Sequence, residues 1–386
     1  MSEWKEYILE QITEPVKDTY NPTGNDDLIY IGLEHIDQGA LRLNSLGHST
    51  DITSNKFQFK KDDILFGKLR SYFRKVVKTS FSGICSTDIW VFRAKDGFSQ
   101  DFLFNFLANW DFIDTASGGE GGTRMPRADW RYLRQSKWFL PPLPEQKAIA
   151  AVLSSLDDKI DLLHRQNKTL EAMAEALFRQ WFIEEADEGW EEVPLEHVTK
   201  RITDGAHTSP PSNETGKPMA SVKDMYDWGI DVSTCRRISE KDYIKLVQDD
   251  CKPLKDDILI AKDGSYLKYI FVVKEDMELV ILSSIAIIRP NGKYHPFLLS
   301  ILLKLDSTIE LLKNIVTGAV IPRIVLKDFR KFPIVLPPVE SQKKALSNIK
   351  PIIEKCWEND MQIYLLKKLR DTLLPKLISG EIKIKE

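Results

Sequence analysis

Long hydrophobic runs are missing from these 386 residues. The longest clean stretch, Val280 to Ile288, still contains Ser283 and Ser284, so nothing here has the length of a membrane span. The first residues, Met1-Ser2-Glu3-Trp4-Lys5-Glu6, lack the apolar centre of a signal peptide. Cysteine is scarce, with four residues (Cys85, Cys235, Cys251 and Cys356) far apart and no Cys-x-x-Cys pair. That spacing fits a reducing cytoplasmic compartment and argues against a structural zinc site. Six scattered histidines offer no metal cluster. An excess of positive charge is also lacking: the formal charge is −3 and the isoelectric point is near 6.2. Nucleic acid would therefore have to be bound by local patches.

Catalytic motifs are absent too. There is no phosphate-binding Gly-x-x-x-x-Gly-Lys-Ser/Thr loop, no His-Glu-x-x-His and no Gly-x-Ser-x-Gly. The cluster Gly118-Gly119-Glu120-Gly121-Gly122 fails the dinucleotide spacing, since Arg124 stands where the third glycine belongs. Leucine precedes both double prolines, which excludes the Asn/Asp-Pro-Pro-aromatic loop of amino-methyltransferases. Glu145-Gln146-Lys147 and Glu381-Ile382-Lys383 are the only hints of a metal-dependent nuclease. Such triplets are common in a chain that is 29% charged.

What the chain does have is an internal repeat. Trp4 to Glu10 is answered by Trp190 to Glu196, and Lys61-Asp62-Asp63-Ile64-Leu65 by Lys255-Asp256-Asp257-Ile258-Leu259. Met125-Pro126-Arg127 returns as Ile321-Pro322-Arg323, and Leu140-Pro141-Pro142-Leu143 as Leu336-Pro337-Pro338-Val339. Gln146-Lys147 is echoed by Gln342-Lys343, and the offsets stay between 186 and 196. Each half is thus a module, a double proline and a helical segment. Within the modules, residues 28–31, 64–66, 89–92 and 270–273 are short β-rich runs, and residues 101–109 and 297–312 have helical periodicity. The fold class expected is mixed α+β, without the strand–helix alternation of a doubly wound sheet.

The helical segments have a heptad seam. Positions 149, 153, 156, 160, 163, 167, 170, 174, 177 and 181 read Ile, Leu, Leu, Ile, Leu, Asn, Leu, Ala, Leu, Trp. One polar residue in ten marks a coiled coil, and a rod over residues 145–183 would be about 58 Å long. Asn167 either fixes register or sits beside the stripe. The second segment gives Ala345, Ile349, Ile352, Cys356, Asn359, Ile363, Leu366, Arg370, Leu373 and Leu377, with Pro351 expected to kink it or to split off a first turn. An antiparallel pair is the simplest packing. Boundaries follow: modules at residues 1–143 and 187–337, helices at residues 144–186 and 338–386.

Charge is concentrated locally. Between Lys56 and Lys78 eight basic residues face two acidic ones, and Lys68, Arg70, Tyr72 and Arg74 interleave cations with an aromatic. The second module has Lys262, Ser265 and Lys268 at the matching place. Lysine and arginine neutralise phosphates, and arginine forks read guanine edges. Arg124 and Arg127 in a glycine-rich loop, their partial counterpart Arg323, and His207 in a polar turn complete the candidates. Glu184, Glu185, Asp187, Glu188, Glu191, Glu192 and Glu196 have no balancing cation among them, so that stretch should face away from DNA.

The order of these parts resembles the specificity subunit of type I restriction-modification enzymes over the whole chain. The most specific segments are residues 140–147, running into Ile149-Ala150-Ala151-Val152-Leu153, and the Leu369 to Glu381 stretch. Ser341 and Pro351 depart from the pattern. The resemblance implies two target-recognition domains, each reading half of an asymmetric bipartite DNA sequence, in a complex that defends against phage. It implies paired helices that act as a ruler and dock two adenine-methylating modification subunits and motor-nuclease subunits. S-adenosylmethionine, ATP and magnesium would then lie on those partners and no cofactor on this chain. Half-site centres would lie roughly 34–36 Å apart, and whole-heptad changes would alter the gap alone. Lys68, Arg70, Tyr72, Arg74, Arg124 and Arg127 would meet the first half-site, and His207, Lys262, Ser265, Lys268 and Arg323 the second. A coiled-coil adaptor that reads no DNA, and a nuclease using Glu145 and Lys147, are the alternatives.

Overall fold

The repeated Lys-Asp-Asp-Ile-Leu segments build one corner twice. In the computed structural model, which describes residues 4–22, 26–118, 126–263, 267–317 and 323–384, Asp62 and Asp256 both take left-handed backbone angles, with φ of 71° and 69°. Aspartate tolerates that region better than most residues. The next aspartate is buried and closes the turn. Asp63 accepts from the Lys60 amide at 2.7 Å and from Arg93 at 2.6 and 2.7 Å. Asp257 accepts from the Leu254 amide at 2.8 Å and from Arg289 at 2.8 and 2.9 Å. A buried carboxylate is tolerable only when its oxygens are paired in this way.

From each corner starts a central strand of a four-stranded antiparallel sheet. The first sheet orders Thr13–Val16, Ile89–Ala94, Ile64–Gly67 and Val76–Lys78; the second orders Thr199–Asp204, Ile285–Pro290, Ile258–Ala261 and Ile270–Val272. Two-stranded ribbons, Lys5–Ile8 with Lys137–Leu140 and Glu191–Pro194 with Pro333–Leu336, join the two ends of each module. A second sheet differs in strand number, five in the first module and three in the second. The architecture is mixed α+β. Among the described residues no helix is long and apolar enough to cross a membrane.

Residues 297–312 form two helices, where sequence periodicity suggests one. Pro296–Lys304 ends at Leu305, whose ψ of 136° is extended, and Asp306–Lys313 follows. The first module breaks at the same place: Gln100–Ala108 ends at Asn109 with ψ 143°, before Trp110–Gly118. The corner lets two short amphipathic faces bury against one sheet, an outcome that periodicity cannot distinguish from one long helix.

The Leu-Pro-Pro motif has a structural reason. Gln146, buried at the start of the first long helix, Leu143–Arg179, donates to the Pro141 carbonyl at 2.9 Å and accepts from the Ser99 amide at 2.9 Å. Gln342 does the same in the second long helix, Val339–Ile378, with Pro337 and His295 as partners at 2.9 Å. Ser99 and His295 are the N-caps of helices in their modules, so one glutamine locks each long helix to its own module.

The chain divides into two units, residues 1–162 with 363–386, and residues 163–362. Each holds one module and parts of both long helices. In the first unit Ile149, Ala150 and Leu153 share a core with Leu374, Leu377 and Ile378, while Asp157, further along the first helix, meets Arg370, earlier in the second. The helix segments are thus antiparallel. In the second unit Asn167 is buried, donates to the Cys356 carbonyl at 3.1 Å and accepts from Asn359 at 2.9 Å. Of the two readings of Asn167, the buried polar seam position is the one observed.

Leu153, Ile160, Leu163 and Ile363 are fully buried, whereas Leu156, Leu170, Leu177, Ile352, Leu366 and Leu373 are half-buried. Phe178, Ile353 and Leu374 are buried where the heptad count points one residue earlier. A straight helix drifts against a 3.5-residue repeat, and each module covers a broader face than a coiled-coil seam. The helix Val339–Ile378 continues through Pro351 without a break, and no first turn is split off, contrary to the sequence expectation. Pro351 is exposed, so the carbonyl its ring leaves unpaired is on the water side.

Candidate nucleic-acid interface

The basic loop of the first module is laced to the segment that follows its glycine-rich stretch. Lys68 donates its amide to the Asp88 carbonyl and accepts at its own carbonyl from the Ala128 amide, both at 2.9 Å. Arg70 donates its amide to the Pro126 carbonyl at 2.9 Å. Arg70 and Arg74 take φ of 53° and 49° and bracket the short helical turn Ser71–Phe73. The Ser71 hydroxyl meets that of Ser117 at 2.8 Å. The loop therefore has a defined shape, which sequence-specific contact requires.

Side chains then sort into three groups. Lys68, Arg70, Tyr72 and Arg127 come together. Tyr72 is 44% exposed, and the Arg70 guanidinium lies 6.0 Å from the Phe73 ring centre. Arg127 is 49% exposed and forks onto Asp88 at 3.0 and 3.4 Å; that hydrogen bond holds its pKa above the ordinary value. Desolvation lowers the Lys68 pKa, Asp88 opposes that, and Arg127 and Lys17 add to the lowering. Exposed Lys17 thus belongs to the same group. Sequence reading missed it because it lies about fifty residues before Lys68, outside the basic run, and only the sheet brings it there. Lys68 and Arg127 thus flank one carboxylate, and Asp88 fixes the direction in which the planar Arg127 guanidinium points.

Arg74 leaves the candidate face. It is 2% exposed, donates Nε to the Ala108 carbonyl at 2.6 Å and lies 5.1 Å from the Trp110 ring centre, so no phosphate can reach it. Arg124 lies outside the described residues.

The second module repeats the lacing. Lys262 donates its amide to the Ser284 carbonyl at 2.9 Å and accepts from the Ile324 amide at 3.1 Å, and Asp263 bridges to Arg323. The Lys262 side chain, however, is 6% exposed, with Nζ 2.8 Å from Asp204 and 3.4 Å from Asp263. It is a buried ion pair and cannot contact DNA directly. His207, 75% exposed, meets the other oxygen of Asp204 at 3.1 Å. Lys268 is exposed, 4.9 Å from the Tyr269 ring centre, and Arg323 is exposed. Ser265 lies outside the described residues.

The acidic stretch is exposed at Glu184, Glu185, Asp187, Glu188, Glu191, Glu192 and Glu196. Glu145 accepts from the Trp4 indole at 3.1 Å, a contact that fastens a helix start to the first strand. Among the described residues no group of three His, Cys, Asp or Glu side chains is placed to hold a metal ion.

The family of type I restriction modification DNA specificity domains matches residues 1–172 and again residues 187–364. The MjaIX type I restriction enzyme specificity subunit of Methanocaldococcus jannaschii is 29% identical over 320 residues, 76% of this chain and 71% of that protein. The EcoDI specificity subunit of Escherichia coli is 27% identical over 201 residues, 48% of this chain and 44% of the relative. The solved structure of a type I restriction-modification S subunit from M. genitalium is 18% identical, covers 97% of this chain and 96% of its own, and superposes with a TM-score of 0.52, a likeness of fold. The two domain matches fall on the two copies of the repeat, and the chain belongs to the type I restriction-modification DNA specificity family, as a specificity subunit without a catalytic role of its own.

Proposed function

We propose that this chain reads a bipartite, asymmetric DNA target, one part with each module. The observation that carries the reading is the lacing that occurs twice: a basic loop after the Lys-Asp-Asp-Ile-Leu corner, tied by backbone hydrogen bonds to an arginine-bearing segment before the last strand. Phosphate contacts fix register and arginine forks choose bases, and the Lys17, Lys68, Arg70, Tyr72 and Arg127 group supplies both kinds of side chain. In the second module Lys268, Arg323 and His207 are the exposed counterparts, with Lys262 holding Asp204 in place behind them.

On this reading the long helices dock two modification subunits and, through them, motor-nuclease subunits. S-adenosylmethionine, ATP and magnesium then belong to those partners, none to this chain, and the assembly works in the cytoplasm where its DNA is.

Genome-wide adenine methylation, mapped by single-molecule sequencing with the modification subunit present and this chain present or absent, tests the proposal. A split motif that vanishes without the chain, and changes in one part when residues 1–140 are exchanged, is the expected result. An unchanged methylation map with active modification subunit would leave the chain as an adaptor.

A further inference from the structure

Arg74 ends the basic loop of the first module yet points into the protein. Its Nη1 lies 3.5 Å from Asp371. Asp371 also accepts from Nε and Nη2 of Arg370, at 3.1 Å each, and Arg370 donates Nη1 to Asp157 at 2.8 Å. Four charged side chains therefore run from the loop to both long helices, all inside the first unit. Burial pushes Asp157 above the usual carboxylate range, with Arg370 opposing, and pulls Arg74 below its ordinary value. Asp157 Oδ2 and Arg74 Nη2 have no hydrogen-bond partner among the described residues.

Such a cluster is a costly way to fill a helix interface, because apolar groups of similar volume do it as well or better. The second unit shows the cheaper solution. At the offset that aligns Lys147 with Lys343, Asp157 corresponds to Ile353 and Arg370 to Ala174, both buried in one apolar core. At the offset that aligns Lys61 with Lys255, Arg74 corresponds to Lys268, which is exposed. A module of this fold packs on its helices without the charges, so their presence in the first unit calls for a reason other than folding.

We propose that the Arg74–Asp371–Arg370–Asp157 cluster is a positioning device, in which the helix pair holds Arg74 and thereby sets the pose of Arg70 and Tyr72 against DNA. Arg74 and Arg70 are the two left-handed hinges of the Ser71–Phe73 turn, so moving one end swings the residues between them. Arg74 is held from two directions, Nε on the Ala108 carbonyl at 2.6 Å and Nη1 3.5 Å from Asp371, which fixes direction as well as distance as an apolar contact does not. The inference rests on the Lys68–Tyr72 loop being part of the DNA-reading face.

The test uses the chain assembled with its modification subunits and a fully randomised duplex library, with the motif read from the enriched sequences. Arg70→Ala marks the base positions that depend on this loop. Arg74→Lys keeps the charge but loses the fork, and Asp371→Asn, at a partly exposed site, removes the anchor with little risk to folding. Both are expected to reduce discrimination about tenfold at the positions marked by Arg70→Ala, while the rest of the motif and the melting temperature hold. Wild-type discrimination in both variants, with Arg70→Ala effective, would overturn the inference and leave the reading face standing. No effect of Arg70→Ala would remove the face and the inference together. Equal weakening at every position with a lower melting temperature would make the cluster a fold-holding element and overturn its positioning role.

Discussion

Lys68 and Lys262 occupy one place in two copies of the same loop and do different work. Each makes the same two backbone hydrogen bonds. Lys68 then shares Asp88 with Arg127 near the surface, while Lys262 is withdrawn into an ion pair with Asp204. Arg74 and Lys268 show the reverse, the first buried and the second exposed. The backbone scaffold is held constant by hydrogen bonds that any residue can make, and side chains on it are free to change sides. A basic residue in such a loop therefore marks the loop and leaves open whether that side chain reaches a ligand.

The largest effect expected from breaking this comparison lies at the paired corners. Asp257→Ala leaves Arg289 without its main partner and should cost about 3–5 kcal/mol in thermal or denaturant unfolding of the second unit. Asp63→Ala should cost less, because Arg93 is 37% exposed and water screens the loss. Equal losses would contradict the difference in burial. Copying the second unit into the first, by Asp157→Ile with Arg370→Ala, should leave unfolding free energy unchanged or raise it by up to about 4 kcal/mol. A large loss would mean that the charges hold the fold.

Truncating Asn359 to alanine leaves Asn167 with an unpaired buried oxygen, at a cost of about 1–3 kcal/mol in the same assay. For DNA, Arg127→Ala should lose about 1–3 kcal/mol on the cognate sequence and relax one base position if its fork reads a base. The smallest change is expected for Lys268→Ala, a reduction of about one in the slope of log affinity against log salt, alike for all sequences. A base-specific loss at Lys268 would show that the two modules use their loops in the same way.

The corner aspartates, the Leu-Pro-Pro glutamines and the seam were legible because each is a local rule repeated at a fixed offset. The Lys-Asp-Asp-Ile-Leu segment recurs, Gln146 and Gln342 follow the double prolines at equal distance, and Leu153, Ile160 and Leu163 keep the heptad. The candidate face was legible only in part. Lys68, Arg70, Tyr72 and Arg127 come together, but Arg74 and Lys262 had the same appearance in the sequence and are buried. Lys17 gave no signal, since its neighbours are distant in the chain.

Two copies of one mixed module, each before a long helix, are evident from the residues alone, because repetition and periodicity survive without any knowledge of contacts. The family was suggested by a resemblance, carried by residues 140–153 and the Leu369 to Glu381 stretch. Which cations face outward, the drift of the seam to Phe178 and Leu374, and the passage of the helix through Pro351 are results of folding. Those outcomes depend on what packs from another part of the chain. The free energy of a charged side chain is set by its burial and its partner, and neither is a property of the residue or its neighbours in sequence.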